Sequence, residues 1–518
     1  MAFHDHRPNK RLGRSEQPLI KMTKDLTSFL HKAQRSLTHD TLHLPSRQRG
    51  FLAHILVDFA EDLYQNIGMW RSFEQYNLDF FGTRLPCVLQ PDETMDPELV
   101  NLDRVQFLLW NLYGELEPEL IFPPNYQDLE RLALMIIEFF TERFARLQYD
   151  SGVKRFLTTP DQYGWEVKRK LVWLGQHSYL FRLHCENYVR EHGGKYDVPT
   201  LDDFICQENT RWSGLGVIDI LAATLDITES QRRDLRSWYE RHVGYFRIVS
   251  IHEPLIEVVN ILNEQSYTVR VGENASLFGA YQMMFGSLVT WDGEWYWSGM
   301  QQGIETVTDD DIDQLKQEFP VQAPQVVYRY CEERAEKARE FVRDHYHAFV
   351  DYFGNDLVVY ADGATMATDM QAFLEHQNAS KPQELVAEFL EKNNRSDVAP
   401  QTSFPPELLE AKDGVGVYFN PDEGQEMRWK FNDVISGFQK QGRELSEDES
   451  EMIRELISSD ATSSQFVRKL VQDYGDASIA SSFLLPRECE PYYLDYLLRR
   501  YKGHFYRNRY PTLSIVDD

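Results

Sequence analysis

Residues 285–299 read FGSLVTWDGEWYWSG, with four aromatic residues between Trp291 and Trp297 and an Asp-Gly pair at the centre. Asp-Gly between apolar runs marks a two-residue type I′ hairpin turn, because both central positions need positive φ. Folded about Asp292-Gly293, Trp291 faces Glu294, Thr290 faces Trp295, Val289 faces Tyr296 and Leu288 faces Trp297. Side chains alternate across a strand, so Phe285, Val289, Trp291 and Tyr296 share one side, and Leu288, Trp295 and Trp297 share the other. A solvent-facing ligand platform keeps one side polar. Here both sides are apolar, so at least one aromatic face must be core. The competing reading leaves Trp291 and Tyr296 on an exposed edge, where they would grip a cation or a peptide.

Just upstream, YFRIVSIHEPLIEVVNILNEQSYTVRVG (245–272) is rich in Val, Ile and Tyr and breaks at His252-Glu253-Pro254 and Asn263-Glu264. That pattern predicts three short strands. Together with the hairpin they make a small five-stranded antiparallel sheet or barrel over residues 244–303.

Before this region the apolar period is helical. SRQRGFLAHILVDFAEDLYQNIGMW (46–70) sets Phe51, Ile55, Phe59 and Leu63, or the adjacent Leu52 and Leu56, on one stripe behind a capping Ser46. Amphipathic segments follow behind Asp96, over YQDLERLALMIIEFFTERFARL (126–147) and over 162–192. Residues 1–24 read as a flexible basic arm and 25–243 as a helical domain. Residues 304–518 read as an acidic, α-rich C-terminal domain with a few short strands. There NDLVVYADGATMATDMQAF (355–373) and KDGVGVYFNPDEGQEMRWKFNDV (412–434) each suggest strand, turn and helix. Residues 393–406 read as a linker, and Ser446 with Glu449 forms a capping-box pair. The fold class is α+β, mainly helical.

At 518 residues the chain exceeds one ordinary core, while 42% hydrophobic and 13% aromatic residues suffice to fold it. A net charge of −28 disfavours duplex DNA and anionic membrane as partners. The charge is uneven: residues 1–50 hold ten Lys/Arg against four Asp/Glu, and residues 301–460 hold fifteen against thirty-four. The five cysteines are scattered with no CxxC, as in a reduced cytoplasmic protein. The N-terminus lacks the apolar core of a secretory signal, and no run approaches the ~20 apolar residues of a membrane span.

The strongest functional lead is RRYKGHFYRNRY (499–510), where Arg499, Arg500, Lys502, Arg507 and Arg509 alternate with Phe505, Tyr506 and other rings, without an acid. Guanidinium groups fork onto phosphates or carboxylates while the rings stack. The plainer reading pairs this tail with the chain's own acidic residues. Other clusters are weaker. His54, Asp58 and Asp62 follow i, i+4, i+8 spacing, as an acid–base dyad or a solvated stripe would. His177 and His184 lie seven apart on what reads as one helical face, beside Cys185, yet no HExxH accompanies them. His345, His347 and Asp351 repeat the theme. No GxGxxG, phosphate loop or GxSxG elbow is present. No catalytic residue, metal ligand or cofactor is assigned.

The expectation is a non-enzymatic cytoplasmic adaptor or regulatory scaffold. A protein is the expected partner, with RNA or another phosphate-bearing ligand as the second choice, bound through the tail. The rival is a hydrolase, metal-assisted or not, with His54/Asp58 or His177/His184 in a cleft between the helical and β domains.

Overall fold

The protein, as a computed structural model, is described here for residues 3–8, 16–117, 120–144, 147, 150–208, 212–322, 332–379, 404–441, 443–459, 461–475, 479 and 492–507. It divides into two compact units: residues 1–318 with 483–506, and residues 319–482 with 507–518.

The first unit opens with a single 3-10 turn, Phe3–His6, followed by helices α1 (Gln17–Arg35), α2 (Ser46–Gln65), α3 (Met69–Phe81), α4 (Leu102–Leu116) and α5 (Gln127–Phe144). Residues 3–8 are not a loose arm, since His6 and Arg7 are buried, and helix starts at Gln17, earlier than the composition suggested. Along α2 the inner stripe is Leu52, Ile55, Leu56 and Phe59, all fully buried. Pro45, not Ser46, occupies the cap position. Then come α6 (Gly152–Thr158), α7 (Gly164–His177), α8 (Arg182–Glu191), α9 (Val198–Gln207), α10 (Val217–Thr224) and α11 (Glu229–Ser237). The run 162–192 is therefore two helices. Ser178 takes an extended conformation that ends α7, so His177 and His184 do not share a helical face.

Five strands follow: β1 (His242–His252), β2 (Leu255–Asn260), β3 (Ser266–Arg270), β4 (Met283–Trp291) and β5 (Glu294–Ile304). They close a barrel in the order β1-β2-β3-β5-β4. The hairpin register is the one the turn requires, with Trp291 opposite Glu294 and Leu288 opposite Trp297. Asp292 and Gly293 both have positive φ. The expectation of a wholly antiparallel sheet needs correction, because β3 and β5 pair in parallel. A ring with an odd number of strands cannot alternate direction all the way round, so closure forces at least one parallel neighbour. This strand order, with a short 3-10 helix (Gly272–Ala280) between β3 and β4, is a Greek-key arrangement of the OB type.

Both aromatic faces of the hairpin are core. Leu288, Trp295 and Trp297 fill the barrel with Phe246, Ile256, Val258, Tyr267 and Val269. On the opposite face Val289, Trp291 and Tyr296 are almost wholly buried as β4 and β5 pack on α7 and α11. A Cβ at Gly164, the first residue of α7, would lie 2.7 Å from the Tyr296 ring, so glycine there allows the close approach.

The second unit is built on a three-stranded antiparallel sheet in the order β6-β7-β8, from Leu357–Tyr360, Val415–Asn420 and Gly424–Trp429. The stretch 412–434 thus holds a hairpin before its helix, where a single strand was expected. Every residue of the central β7 is buried. Helix α12 (Asp309–Gln322) follows β5 along the chain, and Val415, Val417 and Phe419 join a core with α13 (Glu332–Phe353) and α14 (Gly363–Ala379). After a short turn of helix α15 (Pro406–Leu409) and the sheet come α16 (Phe431–Gln439), α17 (Glu447–Ser458) and α18 (Ser464–Tyr474). From the other side of β7, Tyr418 stacks on Phe466 of α18. Ser446 and Glu449 form the capping box that starts α17. Most of the 393–406 stretch lies outside the described residues. Helix α19 (Tyr492–Lys502) returns to the first unit, its apolar face placed so that Tyr496 meets Phe81 and Trp110.

Truncating a buried aromatic removes its transfer energy and leaves a cavity. Trp291→Ala is expected to cost about 3–5 kcal/mol in chemical denaturation. Trp165→Ala, at a ring 44% exposed that packs on Tyr163 and Tyr296, should cost less, roughly 1–2 kcal/mol. Equal effects would contradict the burial of the Trp291 face.

Candidate functional site

Three places bring ionisable or aromatic groups together. The first joins the barrel to the helices. Asp202 of α9 is buried and accepts from Lys168 of α7, Arg241 at the start of β1, and the Ser298 hydroxyl of β5. Burial pushes its carboxyl up, but Lys168 and Arg241 outweigh that and hold it below the ordinary range. Gly299 has φ +73°, and a Cβ there would run into the Asp202 carboxylate. Ser298 also accepts from Lys168 at 3.1 Å, which resembles a Ser-Lys nucleophile pair. That ammonium is ion-paired to Asp202, however, and Ser298 is 1% exposed. Burial raises the Cys206 thiol as well. The arrangement ties two layers together and presents no nucleophile to solvent.

The second place lies inside the helical bundle. His6 sits between His54 of α2 and His177 of α7, each ring centroid 5.9 Å away. Arg7 pairs with Glu61 of α2 at 2.6 Å, and Glu61 accepts from Ser151, the N-cap of α6, at 2.8 Å. Arg182 of α8, fully buried, donates to Asp58 at 2.8 Å. Asp62 is committed elsewhere: it accepts from the backbone N–H groups of Gly68, Met69 and Trp70 and from the Tyr179 hydroxyl, which fixes the start of α3. The structure thus unites His54, Asp58 and His177, which the sequence offered as separate pairs. It leaves out His184, whose ring lies 3.9 Å from Glu208. The cluster lies among helices of the bundle and not between bundle and barrel, with His54, Asp58 and His177 half-buried, and its cavity of about 10 Å³ has room for about one water. Among the described residues no group of three or more His, Cys, Asp or Glu side chains is arranged to hold a metal ion. Burial first, then Arg182, His177 and His54, pushes the His6 ring down to about 2. His54 is lowered mainly by burial, and Glu61 is raised by it.

The third place is the tail. Arg500 and Lys502, expected to face a partner, are 7% and 0% exposed. Arg500 donates to the Asn111 side chain and, at 3.1 Å, to the Tyr496 hydroxyl. They point inward because α19 is amphipathic and this side packs on the bundle. Trp291 and Tyr296, at 0% and 2%, are equally enclosed. Arg499, one position round the helix from Arg500, is half-buried and lies between two rings, 3.9 Å from the Phe80 centroid and 4.4 Å from that of Tyr506. Phe80 is 48% exposed and stacks on Tyr76, whose hydroxyl accepts from the exposed Arg236 of α11 at 3.4 Å. Phe505 and Arg507 are half-buried, and Arg509 lies outside the described residues. The sequence singled out Arg499 and Tyr506 but missed Tyr76 and Phe80 of α3 and Arg236 of α11, which lie far before the tail in the chain. Their one local signal is Tyr76 and Phe80 at i, i+4 spacing beside an apolar stripe.

His345 and His347 remain on α13 with an exposed Asp351, as a solvated face would have them. The barrel's Asp292-Gly293 turn is also occupied: the Asp292 N–H donates to Asp234 of α11 at 2.8 Å. In OB-type barrels the corresponding loop often holds ligands; here it holds a helix. No described helix is long and apolar enough to cross a membrane.

Residues 36–201 match a family described as Protein of unknown function (DUF3843). That span covers α2 through α8 and so carries His54, Asp58, Glu61, Ser151, His177 and Arg182, but neither the barrel nor the tail. No curated protein and no solved structure matches the chain.

A histidine kept neutral by burial contributes stability above its unfolded pKa of about 6.5 and loses it as pH falls toward its lowered folded value. His6 alone is therefore expected to withdraw about 2 kcal/mol between pH 7 and pH 5. His6→Gln should show a shallower loss of stability over that interval in parallel denaturant titrations. Identical slopes would mean that His6 is not held neutral.

Proposed function

We propose that this protein is a non-enzymatic cytoplasmic adaptor that docks a partner protein through the patch formed by Tyr76, Phe80, Arg236, Arg499 and Tyr506. The observation that carries this reading is the Arg499 guanidinium held between Phe80 and Tyr506 while nearly half of Phe80 remains exposed. Arginine and aromatic side chains dominate the energetics of protein interfaces, above all when a ring is pre-organised beside a guanidinium. A stacked arginine has lost much of its rotamer freedom before binding, so the association pays less to order it.

Charge supports a protein over a nucleic acid. The chain carries −28 overall, and Asp79 is exposed on the same helix as Tyr76 and Phe80. A polyphosphate backbone, charged at every nucleotide, would meet long-range repulsion, whereas a protein segment with an apolar anchor and a single carboxylate can use Arg236 and Arg499 with the Phe80 face. The reading places no substrate in the buried clusters, whose charges are already engaged with one another.

The test replaces Phe80 with the photo-reactive p-benzoylphenylalanine in cells of the native source, with Trp165 replaced in parallel as an exposed control. The expected result is a discrete protein adduct at position 80 and none at 165. It should weaken roughly tenfold or more on adding Arg499→Glu, as for loss of an interface anchor. Adducts that form equally at both positions, or that persist undiminished with Arg499→Glu, would remove the patch as a docking surface.

A further inference from the structure

The way residues 3–8 are held differs from the way a core segment is held. The segment makes a single 3-10 turn and then inserts two consecutive side chains into the bundle. Its Arg7 guanidinium meets Glu61 at 2.6 Å and Glu16 at 3.8 Å, all three side chains nearly inaccessible. The His6 backbone carbonyl accepts from the Trp173 indole N–H at 3.2 Å, and the His6 ring fits between His54 and His177. A carboxylate pair for a guanidinium, a donor for a backbone carbonyl and a slot for a flat ring are the elements by which a groove captures a peptide.

We propose that Phe3–Pro8 is a displaceable strap, and that the groove beneath it is a binding site for an arginine-bearing peptide that makes the same single turn. The chain's own His6-Arg7 pair is its resident occupant. The groove is walled by α2 and α7 and by the N-terminal ends of α1 and α6, which supply Glu61, His54, His177, Trp173, Glu16 and Ser151.

Displaceability follows from the kind of anchoring. A buried ion pair returns little beyond the desolvation it costs, so Arg7 and Glu61 give specificity more than strength. A lone buried carboxylate is costly, however, so Arg7 can leave Glu61 only where water or another guanidinium takes its place. The docked state also leaves polar groups unsatisfied. His6 Nδ1 and the Arg182 Nε and Nη2 atoms are buried without a hydrogen-bond partner among the described residues. Each such group offsets part of what the contacts gain. A ligand that met them, or that offered a better-placed guanidinium, would compete with the resident segment. The site is distinct from the Phe80 patch, so neither reading depends on the other.

The test uses the full chain carrying Arg7→Ala and a fluorescent peptide of the sequence FHDHRP. The peptide is expected to bind the variant roughly 10-fold or more tighter than it binds the unsubstituted chain, where the tethered strap competes at high effective concentration. Binding should be lost with FHDHAP and weakened by a further Glu61→Gln. A peptide that fails to bind the folded variant, or that binds regardless of its arginine, overturns the proposal. Should Arg7→Ala not fold, indole hydrogen exchange in the unsubstituted chain decides the matter. The Trp173 N–H, covered by the strap, should exchange roughly 100-fold or more faster than the Trp70 N–H bound to Glu74 in the bundle core. Equal rates would show that the strap opens only when the whole bundle does, and would sink the idea.

Discussion

The architecture of the first unit depends on one buried carboxylate. Asp202 sits where α7, α9, β1 and β5 converge, and it is the common acceptor for Lys168, Arg241 and Ser298. A charge so deeply buried is tolerable only while its partners stay in place, and removal of one side of such a network leaves an uncompensated charge. The barrel and the helical bundle are therefore coupled through polar geometry as well as apolar packing. The positive φ of Gly299 belongs to the same constraint, since the strand must bend away from the carboxylate at that residue. Between Ser287 and Phe285 the β4–β5 register also shifts, next to this bend.

With the joint in place, the aromatic hairpin has two interiors to fill. One face closes the barrel and the other meets α7 and α11, so a run with no polar side is what the position demands. The Trp238 indole donating to the Thr290 carbonyl and the Asp234 carboxylate accepting from Asp292 finish the contact at its polar edge. The turn of this OB-type barrel is held by its own helical neighbour, and fold type alone assigns the barrel no ligand.

What was legible in the sequence is what short-range rules determine. Asp292-Gly293 sets the hairpin register, because only one two-residue turn suits that pair. Ser446 and Glu449 set the start of α17 through reciprocal hydrogen bonds four residues apart or fewer. The breaks at His252–Pro254 and Asn263–Glu264 mark real strand ends. Properties that arise from closure or from distant contact were not legible. The parallel β3–β5 pairing is a consequence of ring parity, which no local pattern carries. His6 and Arg7 sit in a charged, turn-rich stretch and are buried only because α2 and α7 supply Glu61 and Trp173 far along the chain. The split of 162–192 at Ser178 was hidden because the apolar period runs through it.

The tail shows most clearly why charge along a sequence is not charge on a surface. Arg499 and Arg500 are adjacent, yet successive helical residues point about 100° apart, so packing one face of α19 sends them to different environments. Arg500 goes to Asn111 and Tyr496, in a setting where its stem and guanidinium are both covered; Arg499 goes to the rim, where aromatic rings flank it. Of the five cations that read as one binding motif, the three on α19 are thereby divided into an inward pair, Arg500 and Lys502, and Arg499 at the rim. The part at the rim is smaller than the sequence suggests, but it gains Phe80, Tyr76 and Arg236 from α3 and α11. The docking surface proposed above is specified by the packing of three helices, and it requires the bundle that holds α19 to be folded.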